Sequence, residues 1–249
     1  MPVTSAAAAR FLTAEWRHLV MLNYEVDPAI LQPRLPGGTE LESWLGRTFA
    51  SLVGFRFLRT RVMGVAIPWH VDFEEVNLRF YVLRTTPGGE VRRGVAFVKE
   101  IVPRSAIAWT ARALYGERYV AMPMRHRVER DPPEPGGPGL VEYGWRFRGR
   151  WNRLAATATG QPWLPPAGSE EALVTEHYWG YGARPRGGTF EYRVEHPQWR
   201  VWAAAAPQVD CDAAELYGAD FAPFLSGAPF SAFVAEGSPV TVRRGVPIA

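Results

Sequence analysis

Lysine is almost missing from this chain: of 28 basic residues only Lys99 is a lysine, and the rest are arginines. The arginines are spread over the whole length and the net charge is only +3, so no basic patch of the kind nucleic acid selects stands out. Cysteine is as scarce, and Cys211 alone cannot form an internal disulfide. No apolar run approaches the roughly 20 residues that a membrane-spanning helix needs. The N-terminal Met1 to Arg10 lacks the charged start and long apolar core of a secretory signal. Internal repeats, low-complexity tracts and long charge runs are absent as well. These absences predict a soluble cytoplasmic protein with no membrane partner; they argue against a nucleic-acid partner and are compatible with a homo-oligomer.

Turn formers and aromatics are abundant instead. Gly 24 and Pro 22 in 249 residues favour many turns and short strands, and exclude a helical bundle. With 10 Trp, 13 Phe and 9 Tyr there is ample apolar surface for a core, which excludes disorder.

Residues 4–15 predict a short helix with Thr4 or Ser5 as its cap, followed by a buried strand from His18 to Val26. Asp27-Pro28 is a strong helix start, a capping carboxylate followed by proline in the first turn. Strands are predicted over Thr39–Leu45 and Thr48–Phe57, then an irregular stretch from Arg59 to His70. Glu75–Leu83 is the clearest strand: Val76, Leu78, Phe80 and Val82 share one face, and Glu75, Asn77, Arg79 and Tyr81 share the other. After a turn at Thr86–Gly89, Gly94–Val102 returns with Val95, Phe97, Lys99 and Ile101 on one side and Glu100 on the opposite one. Ser105 to Tyr115 is the best helix candidate, ended by Gly116. Further strands are expected over Thr189–Val194, Trp199–Ala205 and Pro239–Val246. About eight to ten short strands with no βαβ rhythm and no credible boundary predict a single domain over 1–249. Its class is mainly β with a few short helices, a curled sheet or β-barrel.

Six motifs then occur in order: Trp16-Arg17-His18-Leu19, the run from Val26 to Pro36, the run from Phe73 to Val82, Arg112 to Tyr119, Glu176 to Tyr181, and His196-Pro197-Gln198-Trp199. Together they resemble the YqjF-like family, uncharacterised bacterial proteins of the acetoacetate decarboxylase-like superfamily, from about Trp16 to about Val242. The resemblance implies a β-rich barrel or cone with a central cavity, and no established reaction. The superfamily's decarboxylase uses a Schiff-base lysine within a pattern Arg-x-x-x-Gly-x-Pro-Lys-Lys. The similar stretch here runs from Arg112 through Gly116 to Tyr119, so the resemblance puts Tyr119 at the nucleophile position. A phenol cannot form an iminium, so decarboxylation is not carried over. The decarboxylase's Tyr-x-Glu is matched by Phe73-Glu74-Glu75, which makes Glu75 the implied cavity carboxylate.

The polar row Glu75, Asn77, Arg79 and Tyr81 can form a cavity wall, with Arg79 gripping a carboxylate bidentately. The solvent face of a half-buried strand satisfies the alternation equally well. Lys99 is a candidate nucleophile if its neighbours Val95, Phe97 and Ile101 form an apolar pocket around it. Pairing with an acid or snorkelling to water is its plainer role. His70 and Asp72 form an H-x-D pair, but no further His/Cys cluster supports a metal, and none is expected. Glu176 and His177 are adjacent on an extended segment and point apart, so they make no direct dyad. Residues 145–153 interleave aromatics with arginines as single-strand binders do, and a strand with Trp145, Phe147 and Trp151 inward explains the pattern as well. Arg17 is a candidate for the pocket mouth.

The expectation is a pocket for a small organic acid or carbonyl ligand, recognised by Arg79, Asn77, Tyr81 and Arg17, with Glu75, Tyr119 and Lys99 as candidate catalytic groups. Lyase or hydrolase chemistry through Glu75 without any cofactor is one reading. A binding protein that lost the superfamily nucleophile is the alternative, and an RNA-associated protein a third.

Overall fold

The computed structural model describes residues 8–105, 119–130, 138–183 and 187–248. The helix expected from Ser105 to Tyr115 falls almost wholly outside them. The chain opens with strand β1 (Arg10–Glu25), a short helix α1 (Pro28–Leu31) and the strands β2 (Glu40–Leu41) and β3 (Phe49–Val62). β4 (Phe73–Thr85), β5 (Val91–Val102), β6 (Tyr119–Ala121), β7 (Met124–Arg130), β8 (Pro138–Phe147) and β9 (Arg150–Trp163) follow. Helix α2 (Glu170–Thr175) leads to β10 (Trp179–Ala183), β11 (Thr189–Glu195) and β12 (Val201–Asp210). Helices α3 (Ala213–Tyr217) and α4 (Ala222–Leu225) precede β13 (Ser231–Arg243) and β14 (Val246–Ile248). The protein is mainly β, as its turn-rich composition predicts.

Two local expectations meet different outcomes. Asp27 caps α1 as its position dictates, its carboxylate accepting from the Ala29 amide at 2.8 Å. The helix expected over residues 4–15 is not formed where it can be seen, because Arg10 onward is strand, paired with β13 and β3 on its two sides. Two neighbouring strands supply a full ladder of hydrogen bonds to this segment, and that outweighs the helix propensity of its alanines.

All strands belong to one sheet. Its central run is β11-β10-β5-β4-β3-β1-β13, and β11 also meets β13 through the pairs Val194–Val242 and Glu195–Thr241. The sheet therefore curls until its ends touch over two residue pairs, which makes a pinched ring and not a regular barrel. From β13 the order continues through β12, β9, β8 and β7, and these strands fold back over the outer face.

Alternation sorts the side chains into two cores. Val76, Leu78, Phe80 and Val82 of β4 point outward and pack with Tyr143 and Trp145 of β8, Leu154 of β9 and Leu216 of α3. Phe55 and Phe57 of β3, Phe73 and Tyr81 of β4, and Val174 of α2 point inward. The sequence-derived face of Glu75, Asn77, Arg79 and Tyr81 is thus the inner one.

Among the register shifts of this sheet, three bulges bear on the cavity. At His18 (φ 55) β1 carries one more residue than β3, and at Arg59 (φ 54) the excess lies on β3. On β5 the pairing steps from Leu78–Lys99 to Arg79–Phe97, leaving Val98 as the extra residue. Each insertion reverses which residues face inward beyond it.

Gly237 stands opposite Arg17 in the ladder with φ 76. A Cβ there would sit 2.0 Å from the Trp16 carbonyl oxygen, a backbone atom that cannot swing away. We expect Gly237→Ala to lose at least about 2 kcal/mol of stability, a fall in Tm of roughly 4–8 °C for a chain of this size. An unchanged Tm would mean that the β1–β13 register is not the one described.

Candidate functional site

The inner face of the ring does not close completely. It encloses a cavity of about 220 Å³ lined mostly by apolar side chains, among them Trp16, Phe55, Phe57, Phe97 and Trp199. The aromatics interlock: Trp16 meets Phe55 edge-on at 5.2 Å, and Phe57 stacks on Phe73 at 4.5 Å. Into this wall project Glu75, Asn77 and Arg79 from β4, Glu100 from β5, Tyr119 from β6 and His177 from the segment after α2.

Glu75 is 3% exposed and holds two hydrogen bonds. Asn77 Nδ2 donates to one carboxyl oxygen at 2.8 Å and the Tyr119 hydroxyl donates to the other at 3.2 Å. Burial pushes the Glu75 carboxyl up to about 7, although Asn77, Tyr119 and the nearby Arg79 all pull it back. Tyr119 reaches it because β6 lies parallel to β5 with Tyr119 beside Glu100.

Arg79 is 8% exposed. Its guanidinium donates to the Val174 carbonyl at 3.0 Å, where α2 ends against the cavity. Its Nε has no hydrogen-bond partner, and no carboxylate lies within salt-bridge distance of it among the described residues. A buried cation in that state is incompletely satisfied.

Tyr81, one step further along β4, does not line the cavity. Its hydroxyl lies 2.6 Å from Ser51 Oγ, and its ring stacks on His177 at 4.7 Å. The ligand contact expected of it is replaced by support for its neighbours. Arg17 also leaves the set. It lies before the bulge at His18, in the outward phase, and its guanidinium is bound to Glu15 at 3.1 Å.

Lys99 requires the largest correction. The bulge at Val98 turns it out of the Val95–Phe97 row, and its ammonium donates to the Leu216 carbonyl of α3, 6.0 Å from the centre of the Tyr217 ring. The same bulge turns Glu100 into the cavity. As the sequence has no other lysine, no lysine side chain is left to form a Schiff base there.

Sequence reasoning missed Glu42, Arg93 and their relation to His177. Glu42 lies just past β2, and one of its oxygens is 2.6 Å from His177 Nε2. The other oxygen accepts from Arg93 Nε at 2.5 Å. Burial alone would raise the Glu42 carboxyl, but His177 and Arg93 outweigh it and hold it low. Burial pushes the His177 imidazole down to about 4, reinforced by Arg93 and Arg79 and only partly opposed by Glu42. No spacing signal joins residues 42, 93 and 177; only the curled sheet does. Glu176 instead accepts from the Tyr178 hydroxyl, so the adjacent pair makes no dyad, although Glu176 is the C-cap of α2 at φ −100, ψ 53 and not the extended residue expected.

His70 lies at the cavity rim, its ring nitrogen 2.8 Å from the Pro68 carbonyl, whereas Asp72 accepts from the Arg59 amide at 2.8 Å. The two do not pair. No cluster suited to a metal ion occurs among the described residues. The aromatic and basic stretch 145–153 is folded as a hairpin turning at Arg148-Gly149, which leaves Trp151 36% exposed and not inward. Arg148 pairs with Glu215 at 2.7 Å, and Arg150 with Asp210. No helix among the described residues is long and apolar enough to cross a membrane.

The curled sheet is the fold of acetoacetate decarboxylase-like proteins. The acetoacetate decarboxylase of Legionella pneumophila superimposes with a TM-score of 0.66 at 14% identity, over 100% of this chain and 92% of that one. The enduracididine biosynthesis enzyme MppR complexed with pyruvate gives 0.68 at 15% identity, over 100% and 93%. An acetoacetate decarboxylase-like enzyme from Sphingomonas wittichii gives 0.64 at 17%, over 100% and 97%. At these identities the likeness is one of fold. The chain itself belongs to the family DUF2071, described as an uncharacterized conserved protein, whose model matches residues 13–239. Comparison with curated proteins gives no match.

The Glu75 environment fixes a pH effect. Its carboxyl holds a proton more tightly in the folded chain than in the unfolded one, so ionising it opposes folding. The stabilisation is complete below the unfolded value of 4.5 and is lost as pH rises to about 7. Between pH 5 and pH 8 Glu75→Gln should therefore gain stability relative to the parent by on the order of 2 kcal/mol. Urea unfolding at the two pH values measures it; parallel behaviour of both proteins contradicts a raised Glu75.

Proposed function

We propose that this chain is a cytoplasmic protein that binds a small organic acid carrying a carbonyl group, anchors its carboxylate on Arg79 and works on it by acid–base chemistry through Glu75. The observation that carries this reading is the incompletely satisfied guanidinium of Arg79 inside a largely apolar cavity. A bound carboxylate supplies the missing charge and hydrogen-bond acceptors in one step. The volume of about 220 Å³ lies below the roughly 300–1,000 Å³ of drug-sized sites, which points to a metabolite of few atoms. A carboxyl near 7 is poised to give up a proton at neutral pH, and Tyr119 and Asn77 hold it in place. The presence of pyruvate in the MppR structure supports 2-oxo acids as the first class to test. Lyase or hydrolase chemistry of this kind runs without an iminium, because Lys99 is turned toward α3.

That orientation of Lys99 also favours a second reading, a binding protein without turnover that keeps the cavity. The ion pairs of Arg148 and Arg150 argue against the RNA-associated reading.

Thermal unfolding with pyruvate, 2-oxobutyrate and 2-oxoisovalerate tests the anchor. A ligand at about 100 times its Kd adds roughly 2.7 kcal/mol, which raises Tm by about 5–10 °C. Arg79→Met should remove that response while leaving the unliganded Tm equal or higher, since a buried unneutralised charge is gone. A variant that responds like the parent removes Arg79 from recognition.

A further inference from the structure

We propose that His177 is the general base of the cavity: its Nδ1 removes a proton from the carbon beside the carbonyl of an acid held on Arg79, while Glu42 and Arg93 fix the ring in the tautomer that leaves Nδ1 free. This rests on the ligand reading above and adds the group that the reaction still needs.

The geometry determines the tautomer. Glu42 has both carboxyl oxygens engaged, one by Arg93 and the other by His177 Nε2 at 2.6 Å. A carboxylate held low by a guanidinium accepts and does not donate, so the proton of that contact belongs to Nε2. Nδ1 is then a lone pair, and it has no hydrogen-bond partner among the described residues. The side chain is only 3% exposed and lines the cavity. Tyr81 stacks against the ring, and the Tyr81 hydroxyl is tied to Ser51, so the imidazole plane is fixed from behind. An orienting carboxylate, a buried neutral imidazole and an unpartnered nitrogen form the arrangement that a positioned base requires.

The cavity separates the two proton-transfer roles. Burial moves Glu75 up and His177 down, so near neutral pH one group retains a proton to give and the other has room to take one. Arg79 lies close enough to both to act on each electrostatically. In the proposed step the C–H bond beside the carbonyl breaks and its proton passes to Nδ1. The electron pair forms the C=C bond of an enol, and the carbonyl oxygen takes the proton of Glu75. Reversal in D2O returns deuterium to carbon, and no oxidant or other reactant is required.

The experiment follows C3 proton signals of pyruvate, 2-oxobutyrate and 2-oxoisovalerate by NMR in D2O with the full chain, alongside the thermal shifts. For an acid that raises Tm, the chain should catalyse deuterium uptake, and His177→Gln should slow it by about 10²–10⁴-fold with binding retained. Glu42→Gln should slow uptake at least about tenfold and move the acid limb of the pH–rate profile to lower pH, because the charge favouring protonated His177 is lost. The groups around this ring are Glu42, Arg93, Arg79 and Tyr81, with His196 bonded to the His177 backbone, so a nitrogen-15 titration of His177 in unliganded Arg79→Met, which needs no bound acid, separates the Arg79 effect from that of Glu42. Binding without uptake, or uptake undiminished in His177→Gln, overturns the base while leaving the anchor standing. Absence of binding by every acid overturns both. If His177→Gln fails to fold, the tautomer of the parent decides: nitrogen-15 NMR at neutral pH must show a proton on Nε2 and none on Nδ1, and the reverse assignment refutes the proposal.

Discussion

A guanidinium enclosed by a β-sheet is tolerable only if its surroundings answer its charge, and Arg79 organises the interior around that requirement. One of its donors is met by the carbonyl that ends α2. The nearby acid, Glu75, is itself fully enclosed and therefore reluctant to ionise. Had Glu75 lain in direct contact, the pair would have neutralised itself and left nothing for a ligand to do. The separation along β4, with Asn77 between them bound to Glu75, keeps both groups short of full compensation. In the function proposed, that shortfall is the source of both affinity and proton transfer.

The wall around these groups depends on irregularity. A continuously alternating β1 would continue the outward phase of Arg17 to Leu19, and the bulge at His18 instead delivers Leu19 to the cavity. Its exposed carbonyl is held by the Tyr143 hydroxyl at 2.8 Å, reaching across from the outer layer. The bulge on β5 exchanges Lys99 for Glu100 in the same manner. Bulges bend a strand as well as re-aim it, so the insertions that curl the sheet also choose its lining. Shape and chemistry of the interior are set by the same few residues.

This explains how far the sequence could be read. The row Glu75, Asn77, Arg79 was legible because β4 has no bulge over that span, so strict alternation held from Phe73 onward. The resemblance singled out Glu75, and Tyr119 does meet it across strands. Lys99 was misplaced because one extra residue at Val98 reverses every later side chain, and nothing in Gly94–Val102 marks that insertion. Arg17, read as preceding a strand that starts at His18, lies instead within β1 in its outward phase. The N-terminal alanines read as helix because local propensity carries no record of the two strands waiting on either side. Glu42 and His177 lie 135 positions apart, and their contact exists only once β2 joins β4 and β10 joins β5.

The outward orientation of Lys99 also limits what chemistry the cavity can support. An iminium draws electrons from a neighbouring bond because it carries a full positive charge, whereas a neutral carbonyl does so only when its oxygen is protonated or strongly hydrogen-bonded in the transition state. Breaking a carbon–carbon bond to carbon dioxide makes the heavier demand. Moving a proton beside a carbonyl makes a lighter one, and a neutral carboxylic acid on one side with a neutral imidazole on the other can meet it. Burial raises Glu75 to about 7, so that it still carries a proton to give near neutral pH, and burial together with Arg93 and Arg79 keeps His177 unprotonated. Burial within one cavity thus prepares an acid and a base at once. In the function proposed, a cavity with a carboxyl group and with Lys99 turned outward is therefore suited to enolisation, elimination or simple capture of small oxo acids, and not to chemistry through an iminium.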